Sequence, residues 1–291
     1  AAAYRTQGRG GRGVRGAQLR EDDVITHVLH TSAHAYLLFF TNQGKVYRVR
    51  AHQLPRKDRT AKGSLVQSVL SMDPDERVEA IIDTRDYETH PYLVMFTRLG
   101  QVKKTKFADY DSRNAILIAI KLQEGDEVVS VRATGGDSDL VMVTQNGQGI
   151  RFSEDDVRPM GRDTQGVRGV KLREGDAVVA AATVAEGDDI LLLTTGGYGK
   201  KTKMSEFPLQ KRGGIGVKAM KLTRVRGVLV GARAVSPGDE IFVISSDGIV
   251  IRQSVDEVSR QKRDSTGVRV MSLEDDAQLT AVALVPRENG D

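Results

Sequence analysis

The chain has no cysteine and no tryptophan, and only 5% of its 291 residues are aromatic. Without cysteine there is no disulfide framework, no thiolate nucleophile and no cysteine-held metal. The composition suits a reducing cytosol. So few aromatics exclude one large aromatic core and favour small β-branched cores spread over many units. No apolar run approaches the length of a membrane-spanning helix, and no stretch reads as a signal peptide. No G-x-S-x-G elbow or triad-like grouping is present, and none of the seven tyrosines has a catalytic motif. His27, His30 and His34 scatter across the faces of a strand and turn with nothing to complete a metal set. An enzyme acting on its own is therefore a poor reading. The chain begins Ala1-Ala2-Ala3 without a methionine and is expected to be a piece of something longer.

What the chain does have is repetition. An apolar run, a tight turn ending in glycine and a cation four residues later occur five times. The turn glycines are Gly44, Gly100, Gly147, Gly197 and Gly248, about fifty residues apart. Self-similarity at that period signals a repeat architecture. The runs are short, rich in Val, Ile, Leu and Thr, and bounded by Gly, Asn and Asp, as strands are. Asn146-Gly147 and Asp247-Gly248 are strong hairpin signals because such turns need positive φ. A further strand is expected upstream of each hairpin, at 24–31, 78–84, 128–134, 178–184 and 228–235, with a sixth at 279–285. A Gly-Val pair followed by Leu recurs at Gly13, Gly166, Gly216 and Gly267, with degenerate copies at Gly63 and Ile116. Six units result, the last without its hairpin. The expected fold is all-β, a six-bladed propeller-like ring over 1–291, closed by pairing the segment near Tyr4–Gln7 with the last unit. An open solenoid is the alternative.

The net charge is only +4, although 28% of the residues are charged, so placement matters more than the total. Positions four and six after each turn glycine share a strand face. They are Arg48 and Arg50, Lys104 and Lys106, Arg151 and Ser153, Lys201 and Lys203, and Arg252 and Ser254. These cations are expected to face outward as rungs of a positive belt, a track for a polyanion bound by its phosphates. On that reading, neutralising Lys104 and Lys201 lowers the salt dependence of binding.

Gln7-Gly8-Arg9-Gly10-Gly11-Arg12-Gly13 is the other unusual stretch. It spells a dinucleotide fingerprint, yet no βαβ unit surrounds it, and that pattern alone is weak. It is too short for a repeated RGG tail. The remaining reading is an ordered loop whose glycines bring backbone amides close to phosphate. Gln210-Lys211-Arg212-Gly213-Gly214-Ile215-Gly216 repeats it in a later unit, and 59–63, 162–166 and 263–267 hold looser relatives.

These two loops and the six β units resemble the C-terminal domain of DNA gyrase A, across nearly the whole chain. Two Gly-rich loops in one chain resemble actinobacterial members. The resemblance implies a β-pinwheel that wraps double-stranded DNA around its rim, so that the whole gyrase, a type II DNA topoisomerase, can introduce negative supercoils. Arg9, Gly10, Gly11, Arg12 and Gly13 carry over as the principal box and fasten the end of the wrap. Replacing Arg9 and Arg12 by alanine is then expected to spare duplex affinity and remove wrapping. Gly8 stands where the family has a cation, as does Ile215 in the second copy. The partners implied are the remainder of the gyrase A protein and the gyrase B protein. These carry the catalytic tyrosine, the ATPase and its Mg²⁺, with no cofactor in this chain. A bacterial, nucleoid-associated cytoplasmic location, a monomeric isolated domain and no membrane association are likewise implied. The alternatives are a topoisomerase IV-type domain that bends DNA without chiral wrapping, and a protein-binding propeller resembling the regulator of chromosome condensation.

Overall fold

The computed structural model describes residues 31–57, 64–87, 89–187, 189–274 and 276–285. All five hairpins form where expected. Tyr36–Thr41 pairs with Lys45–Arg50, Tyr92–Thr97 with Gln101–Lys106, Asp139–Thr144 with Gln148–Ser153, Asp189–Thr194 with Tyr198–Lys203, and Glu240–Ser245 with Val250–Ser254. Each turn glycine has positive φ, from 74° at Gly44 to 87° at Gly100. Space constrains these positions as well: a Cβ on Gly197 would lie 2.4 Å from the Met271 carbonyl. The carbonyls of Gly44, Gly100 and Gly147 accept from the amides of Ala119, Gly169 and Ala219, each at 2.8 Å. The turn thus docks on the neighbouring Gly-Val element, which no side chain there would permit.

Sheet composition differs from the sequence expectation. Val78–Asp83 pairs with Tyr36–Thr41, the hairpin before it in the chain, not the one after. Val128–Thr134, Val178–Thr183, Leu229–Val235 and Leu279–Leu284 do the same with the hairpins before them. Between a hairpin and its inner strand, the chain reaches back and adds a short outer strand to the preceding blade. Ile116–Ile118, Val167–Arg168, Val217–Lys218 and Val268–Arg269 complete the first four sheets in this way. Successive blades therefore exchange strands. Alternating sequence signals cannot show this, because a strand's partners are not encoded in its own periodicity.

The described residues build five sheets, not six: four of four strands and a last one of three. Residues 24–30 of the strand expected at 24–31, the segment 1–13 and the degenerate copy at Gly63 lie outside the described residues. Beyond Gly63, Val66–Leu70 is a short helix.

The core lies between blades. Leu93 and Met95 join Leu38 and Phe40 of the first blade, whereas Val94 and Phe96 join Leu140 and Met142 of the third. One strand thus buries alternate residues against two neighbours, which explains apolar runs without alternation. The inner strands pack on one another in chain order. Ala180, Ala182, Ala232 and Ala234 permit the close approach there.

Candidate nucleic-acid interface

Burial on both faces changes the fate of the cations at position four. Lys104 is 4% exposed and Lys201 is 8% exposed. They point into the junction with the next blade, not outward. Each cation there reaches the single 3-10 turn that follows the next hairpin. Lys104 Nζ lies 3.2 Å from Glu154, Arg48 Nη2 lies 2.9 Å from Asp111, and Lys201 Nζ lies 3.9 Å from Asp256. Arg151 approaches the carbonyls of Met204 and Phe207 at 3.5 Å while pairing with Asp139 at 2.5 Å. Arg252 is exposed and pairs with Glu240 on its own hairpin. Arg48 also stacks on Tyr36, 3.4 Å from the ring centroid, and Lys104 sits 4.6 Å from that of Tyr92. These residues staple blade to blade. Outward cations remain at position six, where Arg50, Lys106 and Lys203 are exposed at the strand ends, and at Arg252. Ser153 and Ser254 instead cap the 3-10 turns, accepting from the amides of Asp155 and Asp256 at 3.2 Å.

One position earlier stand two fully buried lysines. Lys103 Nζ donates to the carbonyl of Ala119 at 2.7 Å and to that of Arg162. Lys200 Nζ donates to the carbonyls of Lys262 and Arg263 at 2.6 and 2.7 Å. Burial pushes Lys103 down to about 7 and Lys200 down to about 8. Below pH 7 both the folded and the unfolded chain hold these protons, and the folded state carries the desolvation cost. Above the folded values, the folded chain releases them while the unfolded chain keeps them up to about 10.5. Unfolding free energy is therefore expected to rise from pH 7 to 9.5. Urea midpoints at those two pH values measure it, and Lys103→Met with Lys200→Met should flatten the rise. A midpoint that falls in the parent chain would mean that the charged ammonium is the preferred buried form.

The Gly-rich loop 210–216 is ordered across the outer edge of the third blade. Gly213 has φ +80° and donates to the Gly169 carbonyl at 2.6 Å, and the Gly214 carbonyl accepts from the Lys171 amide at 2.8 Å. A Cβ on Gly216 would lie 2.4 Å from the Gly149 carbonyl, so that glycine is fixed by interblade packing. Arg212 is not free: it donates to the carbonyls of Asp156 at 2.8 Å and Arg168 at 3.0 Å. Arg162 and Arg263 make the same reach, to Ile118 and Lys218. The loop arginine is therefore a tether between blades, and Lys211, with a 91% exposed side chain, pairs with Asp156 at 3.0 Å. The loop with Gln7, Arg9, Gly10, Gly11, Arg12 and Gly13 lies outside the described residues, as do His27 and His30. His34 packs against His52, with ring centroids 6.3 Å apart.

The outward cations that recur in step are ones the sequence reading passed over. Arg168, Lys218 and Arg269 occupy matched places on the outer strands, and all are exposed. Lys121, Lys171 and Lys221 follow three residues after the matched position, also exposed. Their amides hold loop carbonyls of Thr164, Gly214 and Ser265 at 2.8–3.0 Å. None of these six pairs with a carboxylate among the described residues. They flank the interblade loops and form a basic edge around the blades.

The family model described as "DNA gyrase C-terminal domain, beta-propeller" matches six successive segments, 1–32, 35–85, 91–134, 138–185, 188–236 and 239–286. The chain is 44% identical over 291 residues to the DNA gyrase A protein of Mycobacterium leprae (strain TN), covering 99% of this chain and 23% of that one. It is 45% identical over 278 residues to the DNA gyrase A protein of Streptomyces coelicolor, covering 93% and 32%. The structure of a DNA gyrase A C-terminal domain aligns with TM-score 0.74 and 31% identity, covering 97% of this chain and 93% of that chain. The crystal structure of the C-terminal domain of DNA topoisomerase IV aligns with TM-score 0.86 and 28% identity, covering 92% and 84%. The chain spans less than two thirds of the length of these curated gyrase relatives. A strand-exchanged β-propeller with a basic outer edge, matched over its whole length, belongs to the DNA gyrase C-terminal domain family.

Proposed function

We propose that this chain binds and wraps duplex DNA along its outer strands, as the C-terminal domain of a DNA gyrase A protein. The observation that carries this is the recurrence of exposed cations without acidic partners among the described residues, Arg168, Lys218, Lys121, Lys171 and Lys221, beside an ordered Gly-Gly loop. Bending DNA costs on the order of 1–6 kcal/mol per 20–30 bp. Counterion release over many phosphates offsets that cost without reading bases. Supercoiling itself then belongs to the holoenzyme, with gyrase B, ATP and Mg²⁺, and the chain alone is not an enzyme. The bacterial cytoplasm, at the nucleoid, is the corresponding location.

The open edge of the fifth sheet is part of this reading. Val250–Ser254 lacks, among the described residues, the outer partner that the other four hairpins have. In three of those blades the residue after the Gly-Val glycine pairs with the second residue past the turn glycine: Val167 with Val102, Val217 with Gly149, Val268 with Gly199.

The test is linking number. Relaxed closed-circular plasmid is incubated with the chain, relaxed by a nicking-closing topoisomerase and stripped of protein. A shift toward positive writhe is expected. DNA binding without a shift favours the topoisomerase IV-type reading, which Gly8, Ile215 and the likeness to that enzyme's C-terminal domain support. Absence of binding at moderate salt favours the protein scaffold.

A further inference from the structure

Among the described outer strands, one breaks the basic pattern. The second, third and fourth blades carry Arg168, Lys218 and Arg269 there, all exposed. At the matched place on the first blade's outer strand, Ile116–Ile118, stands Ile118, and Ile116 stands where the others have glycine. The surrounding backbone is alike. Arg162 donates to the Ile118 carbonyl at 3.1 Å, as Arg212 and Arg263 do to those of Arg168 and Lys218 at 3.0 and 2.9 Å. What differs is the outward chemistry: Ile116 is 50% exposed and Ile118 55% exposed, while Leu117 between them is buried.

This strand is the edge of its sheet. Exposed edges are ordinarily protected by charge, and two bare isoleucines on one invite unwanted pairing. With Leu117 they line an open cavity of about 560 Å³, bordered by Asp109, Arg162 and Asp163. Asp109 and Asp163 are exposed, and neither makes an ion pair among the described residues. A phosphate here would meet these carboxylates and find no cation on the strand. An apolar side chain with a lysine or arginine beside it fits both halves of the patch. Size decides where such a side chain comes from. Stable association of separate proteins buries about 1,200–2,000 Å² in total, more than two isoleucines and this cavity supply. A tethered segment needs less, because a short linker raises its effective concentration to about millimolar. The chain covers 23% and 32% of two gyrase A proteins that it matches, so most of each lies outside the matched region.

We propose that Ile116 and Ile118 form a docking patch for the rest of the A protein, filled by an apolar side chain flanked by a cation. This rests on the reading of the chain as the C-terminal domain of a gyrase A protein. The docked segment covers the edge strand and stands beside the DNA track that runs over Arg168 and Lys218.

The test uses the full-length A protein, with duplex present and a photoreactive benzophenone side chain at position 118 or, in a second preparation, at the matched position 218. Position 118 should cross-link to residues outside this chain, at an apolar residue next to a lysine or arginine, and position 218 should not. Amide exchange at 116–118 should be slower in the full-length protein than in the 291-residue chain. Ile116→Thr with Ile118→Thr keeps β-branched residues on the strand. That pair should abolish the exchange difference and leave the linking-number shift of the 291-residue chain unchanged. Cross-links from 118 to DNA, or weaker duplex binding by the threonine pair, would make the patch part of the DNA track and overturn the proposal. Cross-links to this domain in a second copy would overturn it in favour of self-association. Absence of either the cross-link or the exchange difference would overturn it as well. If the parent chain gives no linking-number shift, the wrapping reading fails, while cross-linking and exchange still judge the docking patch.

Discussion

Replacing Lys104 with methionine is expected to cost about 3–5 kcal/mol of folding stability, the usual range when one partner of a buried ion pair is removed. The same change should leave the salt dependence of DNA binding untouched. Glu154 is fully buried and accepts from Thr134 Oγ1 at 2.6 Å, from the Ser138 amide at 3.2 Å and from Lys104. Only the lysine among these brings a positive charge. Without it the carboxylate is left in a low-dielectric junction between the second and third blades. Lys104 also donates to the Gly136 carbonyl at 3.1 Å and lies over the Tyr92 ring, so methionine forfeits those interactions as well. Adding Glu154→Gln to the Lys104→Met chain should return much of the loss, giving a coupling energy in a double-mutant cycle on urea-melt data. A loss below about 1 kcal/mol would mean that water reaches the pair, as at surface salt bridges. A salt slope lowered by about 0.9, the value of one neutralised phosphate, would restore Lys104 to the DNA track.

That expectation reverses the one drawn from sequence, and the reason is physical. Period-two alternation shows that Lys104 and Lys106 share a face, and they do. It does not show what covers that face. In an isolated sheet one face meets solvent, but in a ring of radial blades both faces meet neighbours, and only strand ends emerge. The doubly apolar runs Leu93–Phe96 and Leu140–Val143 carried that information, since a strand with one wet face would alternate. Hairpins were legible because Gly44, Gly100, Gly147, Gly197 and Gly248 must take positive φ. Strand exchange was not legible, because Val78–Asp83 fits the edge of either adjacent hairpin by pattern alone. Arg168, Lys171, Lys218 and Lys221 were within reach. They stand inside the Gly-Val elements that defined the repeat, at the same offsets in Gly166–Leu172 as in Gly216–Leu222.

Replacing Arg168, Lys171, Lys218 and Lys221 together with glutamine is expected to weaken duplex binding by about 10²-fold or more at moderate salt. The slope of log affinity against log salt should fall by about 0.9 for each phosphate no longer neutralised. Stability should change little, because substitutions of exposed side chains shift folding by about 0.5 kcal/mol or less each. Backbone roles are preserved: Lys171 and Lys221 hold Gly214 and Ser265 through their amides, and Arg168 receives Arg212 through its carbonyl. The quadruple variant therefore separates charge from architecture, which Lys104→Met cannot do. A full loss of slope at these sites, with Arg50, Lys106 and Lys203 intact, would confine the duplex to the outer strands. An unchanged slope would move it to the hairpin ends where those three cations emerge. The two outcomes differ in geometry. A path over the outer strands passes the loop 210–216, beside the exposed Arg168 and Lys171. A path over the hairpin ends would leave the loop 210–216 without a role in DNA binding and return it to blade packing alone.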